Sequence, residues 1–282
     1  MLAAAALFGT TGAVLVNAPA GADAQSVGPL RLAVGGLTLL AVAARRGSPW
    51  AVWRRWSTVL GAVGVAVFQL GYFLSVERTG VAVGTVITIG SGPVLGGLIA
   101  AGRARRRPTP TWIAGTGISV AGVALLGLAG ASAEANPSGI ALAVCAGLGW
   151  AVFATVGKHQ IDSGTESTAS MAAIFIGGAL LLAPLLAWHS PGWVGRGNGW
   201  RIALYLGVVT VGLAYTLYGF ALRHLHAPTV ITLTLLEPIT ASVLGAVVVH
   251  ESIRAAGWLG IALVVVGLWI TARGGAAETV PA

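Results

Sequence analysis

The sequence predicts an all-α integral membrane protein with ten transmembrane helices, arranged as two inverted five-helix repeats. Three observations lead to this prediction. Of the 282 residues, 56% are hydrophobic and only 9% are charged, whereas about 25% of the residues in a soluble domain are charged. The apolar residues fall into ten stretches of membrane-spanning length. Features of the first five stretches then recur in the last five.

Each stretch is long enough to cross a bilayer, whose hydrocarbon core requires a helix of about 17–25 apolar residues. In chain order the predicted spans cover 2–19, 27–44, 57–76, 80–102, 111–129, 138–156, 169–188, 202–222, 227–249 and 256–272. The connections are short, so we expect no soluble domain. The predicted organisation is a first repeat over 1–130, a second repeat over 138–273 and a short cytoplasmic tail over 274–282.

The repeat is clearest between the fourth and fifth spans and the ninth and tenth. Matched positions lie 145 residues apart; they are Pro93 and Pro238, Gly115 and Gly260, and Gly122 and Gly267. Because each half has an odd number of spans, the second half must insert upside down relative to the first. Inverted repeats with helices interrupted near the midplane are typical of secondary transporters.

The basic residues indicate the orientation of the chain. With the N-terminus in the cytoplasm, eleven of the sixteen Lys and Arg residues fall in cytoplasmic loops or the tail and four fall outside. The remaining one, Arg31, begins the second span. Both termini are therefore expected inside. The net charge of +8 comes largely from short loops between spans, so it indicates topology rather than nucleic-acid binding.

Glu237 is the only acidic residue within a predicted span, near the middle of the ninth. A carboxylate at that depth costs about 2.5–3.5 kcal/mol on translocon scales unless it is paired, hydrated or protonated. Pro238 lacks a backbone donor and disfavours helical geometry at the preceding residue, so we expect a break that places Glu237 beside a polar cavity. Two interpretations remain open: proton coupling or contact with a substrate cation, and a structural carboxylate.

Two other positions also allow two interpretations. Gly92-Pro93 matches Glu237-Pro238 without the acid, and it predicts either a hinge or a packing notch shared with Gly96. Arg31 lies near the outer end of the second span. It could attract a substrate carboxylate near the outer mouth, or its side chain could extend to the membrane interface.

Several polar and amphipathic side chains lie inside the spans. Transport pockets are mostly apolar with a few polar groups, and interhelical packing is the alternative role for each residue. The candidates for the cavity lining are Gln69, Tyr72, Trp150, Tyr215 and Tyr218.

The sequence predicts no enzyme, no cofactor and no metal site. The histidines lie in loops or at span ends, and Cys145 is the only cysteine, so metal-ligand spacing is absent. An integral-membrane enzyme acting on lipid or isoprenoid substrates is one alternative, but it would need paired acids or histidines near one membrane face. A membrane scaffold or sensor is a second alternative, although no soluble effector domain is visible.

The chain resembles the EamA-type transporters of the drug/metabolite transporter superfamily. The features that carry the resemblance are the duplicated five-span unit, Arg31 in Pro29-Leu30-Arg31-Leu32, Leu236-Glu237-Pro238, and His250-Glu251-Ser252 leading into Gly257-Trp258-Leu259-Gly260. The resemblance implies a ten-helix carrier in a bacterial inner (plasma) membrane, with both termini cytoplasmic and a central cavity between the halves. Family members mostly export amino acids, metabolites or drugs.

The functional expectation is therefore a secondary transporter that exports small metabolites, amino acids or drug-like compounds. Alternating access would move the two halves around a midplane site, with Glu237, Pro238, Gly92 and Pro93 at the gate or the proton-coupling site. The expected partners are a small-molecule substrate and the lipid bilayer. Protons and a second copy of the chain remain open as partners, and nucleic acid is not expected.

Overall fold

The computed structural model describes residues 1–46, 50–105, 107–128, 136–248 and 254–277, and in these ranges the regular secondary structure is helical. The α-helices are α1 (Leu2–Leu15), α2 (Ala24–Arg46), α3 (Trp50–Trp53), α4 (Trp56–Ala104), α5 (Pro110–Leu128), α6 (Pro137–Asp162), α7 (Ser167–Trp188), α8 (Gly199–Leu204), α9 (Ala214–His224), α10 (Ala227–Leu233), α11 (Leu236–Val248) and α12 (Ala255–Ala277). A 3-10 helix covers Gly192–Gly195, and a π-helix over Tyr205–Leu213 joins α8 to α9.

Nine helical segments in the described ranges are long and apolar enough to cross a membrane. In the part of the chain that the structure describes, the fold is all-helical and has the composition of a membrane protein. The first predicted span, 2–19, is represented by α1, which is apolar but only 14 residues long. The helix ends before Asn17 and Pro19, and proline disfavours helical geometry in the residue before it. Arg106, the connection at residues 250–252 and the tail residues 278–282 lie outside the described residues.

The third and fourth predicted spans are two arms of α4, Trp56–Gly80 and Val83–Ala104. A single non-helical residue separates them: Gly80 has φ 81° and ψ 160°. Residues with a side chain rarely adopt a positive φ, whereas glycine adopts it readily. A reversal of the chain is thus achieved with almost no loop, and the two arms remain close to each other.

The ninth predicted span is interrupted between α10 and α11 at Thr234 and Leu235, slightly earlier than the expected break at Glu237. Pro238 explains the position, because it has no N–H for the carbonyl four residues before it and its ring crowds that carbonyl. That carbonyl belongs to Thr234, and it instead accepts a hydrogen bond from the Glu237 N–H at 2.8 Å. The proline therefore starts a new helix at Leu236 rather than leaving a carbonyl free.

Glycines set the closest helix contacts. α5 and α12 pack against each other, with Gly122 against Gly260 and Gly115 against Gly267. A methyl group on Gly122 would lie 2.7 Å from the Gly260 carbonyl oxygen. Small residues allow such close approach between membrane helices. α6 packs along both arms of α4, and α2 packs on α7, so the core lies where these helices meet.

Candidate functional site

An aromatic cluster in the middle of the bundle brings together four of the predicted lining residues. Tyr215 and Tyr218 have ring centroids 5.4 Å apart, and each lies within 6.3 Å of Phe153. Phe68 then connects Phe153 to Trp150 and Tyr72. The centroid of its ring lies 6.0 Å from that of Trp150, 6.2 Å from that of Phe153 and 6.3 Å from that of Tyr72. Trp150, Phe153, Tyr215 and Tyr218 are all buried, so the rings pack against one another, with the tyrosine hydroxyl groups at the ring edges.

The hydroxyl groups of this cluster have different partners. Tyr72 and Thr85 hydroxyls share a hydrogen bond at 3.1 Å, which links the two arms of α4. The Tyr218 hydroxyl is buried next to the Trp150 indole but forms no hydrogen bond of ordinary geometry with a described residue. A buried donor without a partner costs about 1–3 kcal/mol, so this hydroxyl is a destabilising feature of the cluster as it is packed here.

Arg31 points into the bundle, where Gln69 holds it. The Arg31 Nη2 donates to Gln69 Oε1 at 3.2 Å, and Gln69 Nε2 donates to the Gly28 carbonyl at 3.1 Å. The guanidinium carbon also lies 6.0 Å from the centre of the Phe73 ring. The Arg31 Nε is buried without a partner among the described residues. The side chain therefore turns towards Gln69 and Phe73 in this structure and keeps one buried donor without a partner among the described residues.

Glu237 lies in the first turn of α11, half-buried, with its carbonyl beside Gly9 of α1. Its carboxylate forms no salt bridge with a described residue. The charge of Arg31 acts on the Glu237 carboxyl group, and both groups act electrostatically on Tyr72 and Tyr215. Glu237 therefore lies in the same interior region as these two tyrosines. Arg31 and the Glu237 carboxyl group thus lie in the same interior region, and no salt bridge between them is formed.

Gly92 serves as a packing notch in this structure. A methyl group there would lie 2.6 Å from Cε3 of Trp150. The backbone at Gly92 and Pro93 stays helical, because Gly80 is the residue with non-helical angles in α4. Gly96, one turn later, receives Ile231 of α10 in the same way. Gly92 and Pro93 thus keep helical backbone angles, whereas the span that contains Pro238 is divided into α10 and α11. The hinge at Gly92-Pro93 stays a prediction.

A separate cavity of about 770 Å³ lies at the bundle end that carries the ends of α4 and α6 and the start of α10. We call it the vestibule. Its charged or titratable lining residues are Arg103, Arg107, Lys158, His159, Asp162 and His226. None of the ten predicted site residues lines it. Ile231, Gly96 and Ala151 lie between the vestibule and the layer of Trp150, where Ile231 is fully buried.

The opposite end of the bundle is closed by Trp193, which is 2% exposed. Its indole N–H donates to the Ser26 hydroxyl at 3.1 Å. On the surface above it, Arg196 donates to the Ala20 carbonyl at 3.3 Å and Asn198 to the Asn17 carbonyl at 3.2 Å. The α7–α8 connection is thereby fastened to the α1–α2 connection. We call this arrangement the outer seal, because the orientation predicted from the sequence places both connections outside.

Sequence reasoning did not identify the phenylalanines that join the site. Phe68 precedes Tyr72 by four residues and Phe153 follows Trp150 by three, and both spacings place side chains on one helix face. That periodicity was available in the sequence. The contact of Phe175 with Tyr215, at 4.2 Å, is between α7 and α9 and left no such signal. Within the described residues, no three His, Cys, Asp or Glu side chains form a group that could hold a metal.

Comparison with known proteins agrees with this architecture. The EamA-like transporter family matches residues 1–128 and 137–273. An uncharacterized transporter of Bacillus subtilis, YwfM, is 35% identical over 271 residues, which cover 96% of this chain and 91% of that protein. An uncharacterized transporter of Clostridium kluyveri is 27% identical over 130 residues, 46% of this chain and 42% of that protein.

A solved structure described as "Crystal structure of protein" has the same fold. The two chains superpose with a TM-score of 0.83 at 20% sequence identity, and the match covers 99% of this chain and 96% of that chain. At that identity the likeness concerns the fold alone. The matches to the family and to YwfM span nearly the whole sequence. The chain therefore belongs to the EamA-like transporter family and is a multi-pass membrane transporter of small molecules.

Proposed function

We propose that the protein is a secondary transporter that exports small zwitterions of the amino-acid type by alternating access. The observation that carries this proposal is the placement of Arg31 and Glu237 beside the aromatic cluster. Arg31 offers a donor without a partner, and Glu237 lacks a salt bridge to a described residue. Because intramembrane charges are costly without a partner, a ligand with one carboxylate and one ammonium group would stabilise both.

The aromatic cluster accounts for the rest of such a ligand. The rings of Trp150, Tyr215 and Phe153 are packed together and buried in this structure, and they would present apolar faces to a ligand once the halves separate. The Tyr218 hydroxyl lacks a partner among the described residues. A pocket with apolar walls and a few placed polar groups is the usual form of a small-molecule site. We therefore expect amino acids with aliphatic or aromatic side chains to be preferred over sugars or nucleosides.

The two ends of the bundle support a state that opens to the inside. The outer seal excludes water at one end, whereas the vestibule is open at the other. The vestibule contains Arg103, Arg107 and Lys158, and the excess of basic residues in these loops predicts that it faces the cytoplasm. Among the described residues, Ile231 and Gly96 lie between the vestibule and Trp150. Transport would require Ile231 to move and the outer seal to open in alternation.

We also propose the inverted repeat and the topology that accompany this mechanism. The division into 1–130, 138–273 and the tail is supported by reciprocal contacts between the halves. Gly35 of α2 receives Val211, and Gly178 of α7 receives Val65 in the corresponding manner. α1 would be the first span and would bring the nine apolar segments to a total of ten. The protein would lie in a bacterial plasma membrane with both termini on the cytoplasmic side. Export as the direction rests on the family resemblance, and a homodimer stays a hypothesis.

The test uses three related ligands and purified protein in proteoliposomes. Exchange of radiolabelled leucine or phenylalanine is measured in competition with the amine that lacks the carboxylate and the acid that lacks the ammonium group. The Arg31→Gln variant should bind the amino acid at least about tenfold more weakly, since hydrogen bonds to charged groups contribute about 1.5–3 kcal/mol. Its affinity for the amine should not change.

The Glu237→Gln variant should show the converse pattern, with weaker amino-acid binding and unchanged affinity for the acid. Glu77→Gln is the matched control, because Glu77 is exposed at the end of the first arm of α4. Wild-type affinity for the amino acid in both site variants would refute the proposal. If exchange by Glu237→Gln kept the pH dependence of the wild type, a proton-coupling role for Glu237 would be abandoned.

A further inference from the structure

We propose that the vestibule contains a binding site for a phosphate group, separate from the amino-acid site at Arg31 and Glu237. The ligand class is a phosphate ester, either a soluble one or the headgroup of an acidic phospholipid. The carrying observation is an excess of positive charge facing a cavity. Three cations and one carboxylate line it: Arg103, Arg107, Lys158 and Asp162.

The two arginines provide the uncompensated charge. Lys158 Nζ is 2.8 Å from Asp162 Oδ1, one turn along α6, so these two neutralise each other. Arg103 and Arg107 have no ion-pair partner among the described residues. They lie on opposite sides of the point where α4 ends at Ala104, and both line the vestibule. Their charges therefore add at one place.

The number of donors favours phosphate over a single carboxylate. Each guanidinium has five N–H donors in a fixed fork, and a carboxylate has only two oxygens. Phosphate oxygens match the fork geometry, and a phosphate monoester can carry two negative charges. His159 and His226 add ring nitrogens to the same cavity. The buried Trp112 indole N–H, also part of the lining, has no partner among the described residues.

The level of the vestibule fits a headgroup as well as a soluble ester. Arg107 and Pro108 lie between the end of α4 and the start of α5 at Pro110, where helix ends reach the membrane surface. Tryptophans such as Trp112 concentrate at that level. Basic pockets between transmembrane helices on the cytoplasmic side bind acidic headgroups. The wall around Gly97, Ala101 and Ala227 is apolar and could hold the carbon chain of either ligand.

The experiment measures stabilisation of the purified protein, because a ligand that binds the folded state raises its apparent stability. One arm titrates inorganic phosphate and glycerol 3-phosphate in detergent at constant ionic strength, with chloride as the reference anion. The other arm compares nanodiscs of phosphatidylcholine alone with nanodiscs that contain phosphatidylglycerol, and native mass spectrometry counts the retained lipid. Stabilisation in the first arm identifies a soluble ester, and stabilisation in the second identifies a lipid.

Variants assign the effect to the vestibule. R103Q/R107Q should weaken binding of the active probe by at least about tenfold, since each arginine loses charged hydrogen bonds. R103K/R107K retains the charge and should bind with intermediate affinity, which separates lost binding from lost folding. R45Q/R54Q is the control, because Arg45 and Arg54 are exposed and do not line the vestibule.

Four results would overturn the proposal. They are no stabilisation by either probe, unchanged affinity in R103Q/R107Q, an equal loss in R45Q/R54Q, and loss in R103K/R107K as complete as in R103Q/R107Q. None of these measurements depends on amino-acid exchange, so failure here leaves the transport proposal standing. Failure of the exchange experiment likewise leaves this binding site testable.

Discussion

Replacing Gly122 with alanine should destabilise the protein, while the same change at Gly117 in the same helix should not. A methyl group on Gly122 would lie 2.7 Å from the Gly260 carbonyl oxygen and 2.7 Å from the Val264 nitrogen. That is 0.7 Å short of the 3.4 Å at which ordinary contact begins. Both obstacles are backbone atoms, so α5 and α12 must separate. Overpacking of this kind costs about 1–3 kcal/mol.

Gly117 is exposed, and a methyl group there would meet nothing within 4 Å. Gly117→Ala should therefore stabilise α5 by about 0.5–1 kcal/mol, the usual gain of alanine over glycine in a helix. The assay is reversible unfolding in mixed micelles with increasing SDS fraction, followed by circular dichroism. Destabilisation of equal size in both variants, or no destabilisation at Gly122, would refute the close helix contact.

Two further predictions concern the loops at the ends of the bundle. Burial alone would raise the pKa of Glu166, but hydrogen bonds from the Thr168 and Ala169 N–H groups at the start of α7 hold that pKa below its usual range. The hydrogen bonds of this cap thus stabilise the fold above the unfolded-state pKa, and that stabilisation is lost as the pH falls through the lower folded-state pKa. Acid unfolding of Glu166→Gln should therefore depend less on pH than that of the wild type. An identical profile would contradict the cap. At the outer seal, Trp193→Phe and Ser26→Ala should each cost about 1 kcal/mol, and the double variant should cost less than their sum; additive costs would show that no hydrogen bond joins them.

The helical spans could be predicted from the sequence because each is a long apolar run, and nine of them meet the same criteria in the structure. Their interruptions were harder to place. Pro238 indicated a break in the ninth span, but the break begins at Thr234, since the missing N–H affects the carbonyl four residues earlier. Gly80 carried no comparable signal, because glycine is frequent throughout this chain and only the observed φ distinguishes it.

The candidate site was predictable as a set of residue types but not as a geometry. Trp150, Tyr72, Tyr215 and Tyr218 were identifiable because they interrupt apolar spans. Their connection through Phe153 depends on how α6 packs against α9, and no local pattern determines that packing. The vestibule was not anticipated at all, because its arginines had been interpreted as signals of membrane orientation. A basic loop can serve orientation and also line a cavity.

The contact between α5 and α12 has a consequence for how the chain is held together. Gly122 meets Gly260 and Gly115 meets Gly267, so each helix presents two glycines seven residues apart to the same pair on the other. In homodimers, a surface that contacts its own copy in reverse order marks a twofold axis. One polypeptide therefore contains, in this contact, the reciprocal pattern of a homodimer interface. Two separately expressed halves would carry complementary surfaces, and their association would become a concentration-dependent equilibrium.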